Sequence, residues 1–139
     1  MADRSIFMEE KKFIKLPESE LEVMQAIWAL NAEGEKFVSA GLIMKRFPAL
    51  NRLKLTTVLT LITRLQFKGF ISSEKLGRSN CYKPLIDEVA YKKFVAGDFC
   101  DKVYRSNKLN MISAIVEDGG LTAEELAAVK KMIENEEAK

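Results

Sequence analysis

A chain of 139 residues with 47% hydrophobic content fits one domain, or one domain with an appendage, and is too apolar to be disordered. It has no histidine and only two cysteines, Cys81 and Cys100, which removes the usual general bases, the usual zinc sites and a disulfide framework. The net charge of +2 hides an asymmetry: residues 37–86 hold nine Lys/Arg against the single acid Glu74, while residues 1–36 and 87–139 are each net −3.

Residues 1–15 show no clean period and read as an N-terminal extension. From Pro17, a helix is predicted over Glu18 to Leu30, with Leu21, Met24, Ile27 and Trp28 as its apolar stripe. Asn31-Ala32-Glu33-Gly34 breaks it. A second helix is expected from Ser39 as N-cap, with Leu42, Ile43 and Phe47 inward and Pro48 as the stop. The third is predicted over Leu55 to Lys68, ending at Gly69, with Val58, Leu61, Ile62 and Leu65 facing inward.

The outward face of that third helix is the most informative feature. It carries Thr56, Thr57, Thr60, Thr63 and Arg64. Threonine is a mediocre helix former, so four on one helix need a reason other than helix stability. Hydroxyls, methyls and an arginine without acidic neighbours suit a helix that enters the major groove of DNA. The competing reading is a polar face with no partner; the coincidence of this helix with the basic segment favours recognition.

After Gly69 the period becomes that of strands. Residues 70–76 read as one strand, Gly77-Arg78-Ser79-Asn80 as a turn, and residues 81–85 as the partner strand. A hairpin directly after such a helix is the wing of a winged helix, with Lys75, Arg78 and Ser79 near its tip. The hairpin as a mere cover for the core is the alternative.

The last third is helical again: about Glu88 to Tyr104, Lys108 to Glu117, and a helix to about Asn135 that opens on the capping box Thr122-Ala123-Glu124-Glu125. Its apolar residues are too many for so short a helical segment to bury alone. They predict a homodimer with Tyr91, Phe94, Val95, Phe99, Val103, Leu109, Ile112, Ile115, Leu126, Val129 and Ile133 in the interface. Packing within one chain is the alternative.

The fold class is therefore mainly α with a small β wing. It comprises an N-terminal winged helix-turn-helix domain over residues 16–86 and a C-terminal helical dimerisation domain over residues 87–139. The function expected is sequence-specific binding of double-stranded DNA by a repressor. Lys54, Thr56, Thr57, Thr60, Thr63, Arg64, Lys75, Arg78 and Ser79 form the contact set. A winged-helix module that binds protein and not DNA is the other reading; such modules usually lose basic character on the third helix and wing. No nucleophile–base pair or metal cluster can be assembled, so no enzyme, metal or cofactor is expected. Without an apolar run of roughly 18 residues or a leader-type start, a cytoplasmic protein with no membrane partner is expected.

The chain resembles the penicillinase-repressor family. The resemblance lies in Leu21-Glu22-Val23-Met24 with Ile27-Trp28, in residues 57–65, and in Lys68-Gly69-Phe70-Ile71. It continues in Phe99, Lys102, Val103 and Tyr104, and in Leu121-Thr122 with Glu125-Leu126, so that it spans about residues 16–135. It implies repression from a dyad-symmetric operator, contacts by Thr56, Thr57, Thr60 and Arg64, and a sensor protease that cuts the dimerisation domain in many relatives. Three departures stand out. Ala114-Ile115 replaces the Asn-Phe bond cut in relatives, Leu59 replaces a basic residue of some, and the paired C-terminal cysteines of copper-responsive members are missing. Residues 1–15 have no counterpart.

Overall fold

In the computed structural model, residues 13–139 are described; most of the expected extension, residues 1–12, lies outside the described residues. The chain divides into two compact units, one through Lys93 and the other Phe94–Lys139.

Pro17 stands just before the first helical residue, in extended backbone (φ −59°, ψ 156°), where its missing N–H costs nothing. Helix α1 (Glu18–Ala32) follows, with Glu18 and Glu20 at the positive end of its dipole. It buries Val23, Met24, Ala26, Ile27, Trp28 and Leu30, a broader face than its apolar spacing predicts. Leu21, expected in that face, is only half-buried. The reason is that α1 is the central element of this unit, packed by α2, α3 and β2 together.

Ser39 caps α2 (Ala40–Arg46) by accepting a hydrogen bond from the Leu42 N–H at 3.1 Å. A short 3-10 turn over Pro48–Arg52 leads into α3 (Leu55–Phe67). Val58, Leu61, Ile62 and Leu65 of α3 are buried, and the helix ends before Gly69, whose φ of +81° is the left-handed conformation that stops it.

Strands β1 (Ile71–Leu76) and β2 (Ser79–Pro84) pair antiparallel, Leu76 opposite Ser79. Only Gly77 and Arg78 turn the hairpin, so Ser79 and Asn80 belong to the strand and not to the turn that the sequence predicts. Gly77 has φ +65° and Arg78 does not share it, the pattern of a type II′ turn, whose twist matches that of the strands. Tyr82 donates its N–H to the Val38 carbonyl at 2.8 Å, which ties the wing to the segment before α2.

The wing closes onto an aromatic cluster. Trp28 Nε1 donates to the Ile86 carbonyl at 2.8 Å, and the Trp28 and Phe70 rings each lie 5.6 Å from Tyr91. The Tyr91 hydroxyl accepts the Leu16 N–H, also at 2.8 Å. Tyr91 is 3% exposed, a core residue of the first unit, and is therefore withdrawn from the dimer set. The aromatic repeat that suggested it is shared between two tasks: the first turns of α4 (Glu88–Val103) belong to the first unit and the rest to the second.

In the second unit, Asn107 caps α5 (Lys108–Val116), and Thr122 and Glu125 form the capping box of α6 (Ala123–Glu137) reciprocally, at 3.1 and 2.9 Å. The α5–α6 turn needs glycine at Gly120, where a Cβ would lie 1.9 Å from the Ile115 carbonyl oxygen. Neither α5 nor α6 contains a buried residue. Grooves of about 500 and 570 Å³ lie along them, lined by Ile112, Val116, Val129 and Ile133. No helix among the described residues is long and apolar enough to cross a membrane.

Candidate nucleic-acid interface

Because α3 buries one stripe, its other face must meet solvent or a ligand. Thr56, Thr57, Thr60, Thr63 and Arg64 are all exposed there, as is Lys54 at the N-cap. No acid occurs on the helix. Lys54 makes no side-chain cap, so the first amides of α3 point out beside a cation, a combination suited to phosphate.

The threonine hydroxyls are partly committed. Thr60 Oγ1 donates to the Thr56 carbonyl and Thr63 Oγ1 to the Leu59 carbonyl, each at 3.0 Å. This back-bonding satisfies the hydroxyl hydrogens inside the helix and leaves their lone pairs and methyls for a partner.

The basic segment sorts into two groups. Arg46 pairs with Glu33 and Glu35, Arg52 with Glu22, and Lys68 with Glu20. The Arg52 guanidinium forks onto both Glu22 oxygens and also donates to the Ala49 carbonyl at 2.8 Å. The hydrogen bond to Glu22, and then the Glu22 charge, hold Arg52 above its ordinary pKa. These three cations bind the acidic α1 side to the basic segment. Lys45, Lys54, Arg64, Lys75, Arg78 and Lys83 form no ion pair within the described residues. The cations in the expected contact set, Lys54, Arg64, Lys75 and Arg78, are all in this second group.

On the wing, Lys75 lies opposite Asn80, and Arg78 is the exposed second residue of the turn. Ser79 is exposed at the start of β2. The structure thus brings Lys54, Thr56, Thr57, Thr60, Thr63 and Arg64 together on one helix, and Lys75, Arg78 and Ser79 together at one hairpin end. Sequence reading missed one member of the helix face. Phe67 is 92% exposed, four positions after Thr63 and three after Arg64. Its signal was present, since it is an apolar residue outside the inward stripe.

The expected interface residues of the second unit are disposed differently. Phe99, Val103, Leu109, Ile112, Ile115, Leu126 and Ile133 are exposed, and Phe94, Val95 and Val129 are half-buried. Among the described residues, no group of three or more Cys, Asp or Glu is placed to hold a metal.

Comparison with known proteins places this geometry. The family model for the penicillinase repressor matches residues 16–135. The penicillinase repressor of Bacillus licheniformis is 27% identical over 124 residues, covering 89% of this chain and 93% of that protein. The methicillin resistance regulatory protein MecI of Staphylococcus aureus strain N315 is 28% identical over 124 residues, covering 89% and 97%. The solution structure of the DNA-binding domain of the repressor BlaI aligns at 30% identity and TM-score 0.46, over 58% of this chain and 92% of that one. The family model spans both units, from the residue before Pro17 to the last turns of α6, and so the chain belongs to the penicillinase repressor family.

Proposed function

We propose that the chain is a sequence-specific DNA-binding repressor that acts as a symmetric dimer on a dyad-symmetric operator. The observation that carries this reading is the α3 face: exposed threonines and Arg64, no acid on the helix, and, at both the N-cap and the wing, cations with no ion pair among the described residues. Two α3 helices would enter successive major grooves, with half-sites separated by roughly 34 Å or a multiple of it. Lys54, Arg64, Lys75 and Arg78 supply mainly phosphate affinity, and Thr56, Thr57 and Thr60 mainly base discrimination. The relatives that match along nearly their whole length are a penicillinase repressor and a methicillin resistance regulatory protein, which supports a role in repression.

Dimerisation is assigned to the second unit, whose helices α5 and α6 bury none of their own residues. Proteolytic release by a sensor protease, as the family resemblance implies, meets an altered site here. The matching bond, Ala114–Ile115, lacks the Asn-Phe pair and lies inside α5. Dissociation of the dimer by any route would release the operator, because it removes the linkage between two half-site readers.

A footprint on the DNA upstream of the chain's own gene, across a salt titration with solution mass recorded, tests the proposal. The expected result is a dimer protecting a dyad-symmetric site with steep salt dependence. A chain that protects nothing at low salt and is not retained on heparin is a protein-binding module instead.

The wing role has its own check. Arg78→Ala should weaken binding to all sequences and reduce the salt slope by about one unit for each phosphate that it no longer neutralises. If affinity and slope both stay at the unmodified values, the wing tip does not touch the backbone. Thr57→Ala and Thr60→Ala should instead change the ranking of operator variants, by about 1–3 kcal/mol for each base-edge interaction removed. Binding titrations against a panel of single-base variants read this directly.

A further inference from the structure

Phe67 is an anomaly of burial. At 92% it is the most exposed large apolar side chain among the described residues, and its ring stacks on no other ring there. It is not on the margin of the polar face but within it. Thr56, Thr60, Thr63 and Phe67 follow one another at spacings of four, three and four, with Arg64 four after Thr60 and three before Phe67, the neighbours of one helix face. With the Thr60 and Thr63 hydroxyl hydrogens bonded back into the helix, the centre of this face offers hydroxyl lone pairs, methyl groups and one phenyl ring.

We infer that Phe67 is a specificity-determining residue and that its ring takes the 5-methyl group of a thymine in the major groove. The inference rests on the DNA-binding reading above and deepens it. A phenyl ring has nothing for phosphate, which needs a cation or an N–H, and nothing for guanine or adenine edges, which need hydrogen bonds. The apolar group that a base pair exposes in the major groove is the thymine methyl. Thr56 and Phe67 are eleven positions apart, about 16 Å along the axis at 1.5 Å per residue. That span is roughly five base steps at 3.4 Å each, so Phe67 reads a position at the far end of the half-site from Thr56.

The test alters the DNA and leaves the fold untouched. Fluorescence anisotropy is measured on the footprinted duplex and on duplexes in which each thymine in turn is replaced by deoxyuridine, which removes only the 5-methyl group. At one symmetric pair of positions, roughly five base steps from those sensitive to Thr56→Ala, the unmodified chain should bind about five- to tenfold more weakly. Phe67→Ala should bind the thymine duplex with the same loss, be indifferent to deoxyuridine at that pair, and keep an unchanged salt slope. If Phe67→Ala binds the thymine duplex normally, or loses affinity equally on both duplexes, the inference is overturned while the repressor reading stands. If the unmodified chain distinguishes no deoxyuridine duplex, the inference is overturned in the same way. A chain that binds none of the duplexes overturns both.

Discussion

Ile112→Glu is expected to convert the proposed dimer to a monomer and to weaken binding to the full operator by about 10²–10³-fold, the scale of avidity between linked sites. Ile112 is 52% exposed on α5, amid Leu109 at 73%, Ile115 at 51% and, from α6, Met132 at 62% and Ile133 at 55%. Isolated exposed apolar residues are ordinary, but a continuous face of this kind on two neighbouring helices marks an interaction surface. In an isologous dimer each substitution occurs twice, so two carboxylates would be desolvated in one apolar interface. Because Ile112 is half exposed in the single chain, the cost falls on association and not on folding. Affinity for an isolated half-site should therefore hold, which separates loss of dimer from loss of fold. Sedimentation analysis beside anisotropy on half and full operators reads both. A variant that remains dimeric with full-operator affinity would remove α5 from the interface.

Lys68→Met is expected to destabilise the fold by about 2–4 kcal/mol, somewhat below the range for breaking a fully buried ion pair. The pair is unequal: the Glu20 side chain is 4% exposed and the Lys68 side chain 25%. Removing the lysine strands a carboxylate that water cannot reach. Removing the carboxylate leaves an ammonium on a flexible stem that can turn outward. Glu20→Leu alone should thus cost clearly less than Lys68→Met alone, and the double variant should be near neutral. Urea denaturation of the three variants measures this. Equal costs for the two single changes, or a double variant worse than either, would refute the asymmetry. The pair also ties the end of α3 to α1, so the single lysine variant should loosen the last turn of α3, the helix proposed to read DNA.

Much of this architecture was legible in the residues themselves. Ser39, Thr122 with Glu125, and Gly69 each act through hydrogen bonds or backbone torsions within a few positions, and each takes the place that its local chemistry dictates. The α3 face was readable for the same reason: one helix of regular pitch sorts Val58, Leu61, Ile62 and Leu65 inward and Thr56, Thr60, Thr63 and Arg64 outward without reference to anything else.

What spacing did not disclose depends on partners distant in the chain. Tyr91 belongs to the same four-residue repeat as Val95 and Phe99, yet Leu16, Trp28 and Phe70 claim it for the first unit. The hairpin turn is two residues shorter than its composition suggests, because strand pairing draws Ser79 and Asn80 into the ladder. Above all, nine cations against one acid read as one uniform basic segment. Only the fold, by bringing α1 with Glu20 and Glu22, and Glu33 and Glu35 just beyond it, against that segment, divides the cations into paired ones and ones with no ion pair among the described residues. Local periodicity and capping were determined by the sequence alone, since those interactions close within a helical turn. Which charges are neutralised, and which aromatic ring is left in solvent, was decided by tertiary structure, since burial and ion pairing are properties of neighbours in space.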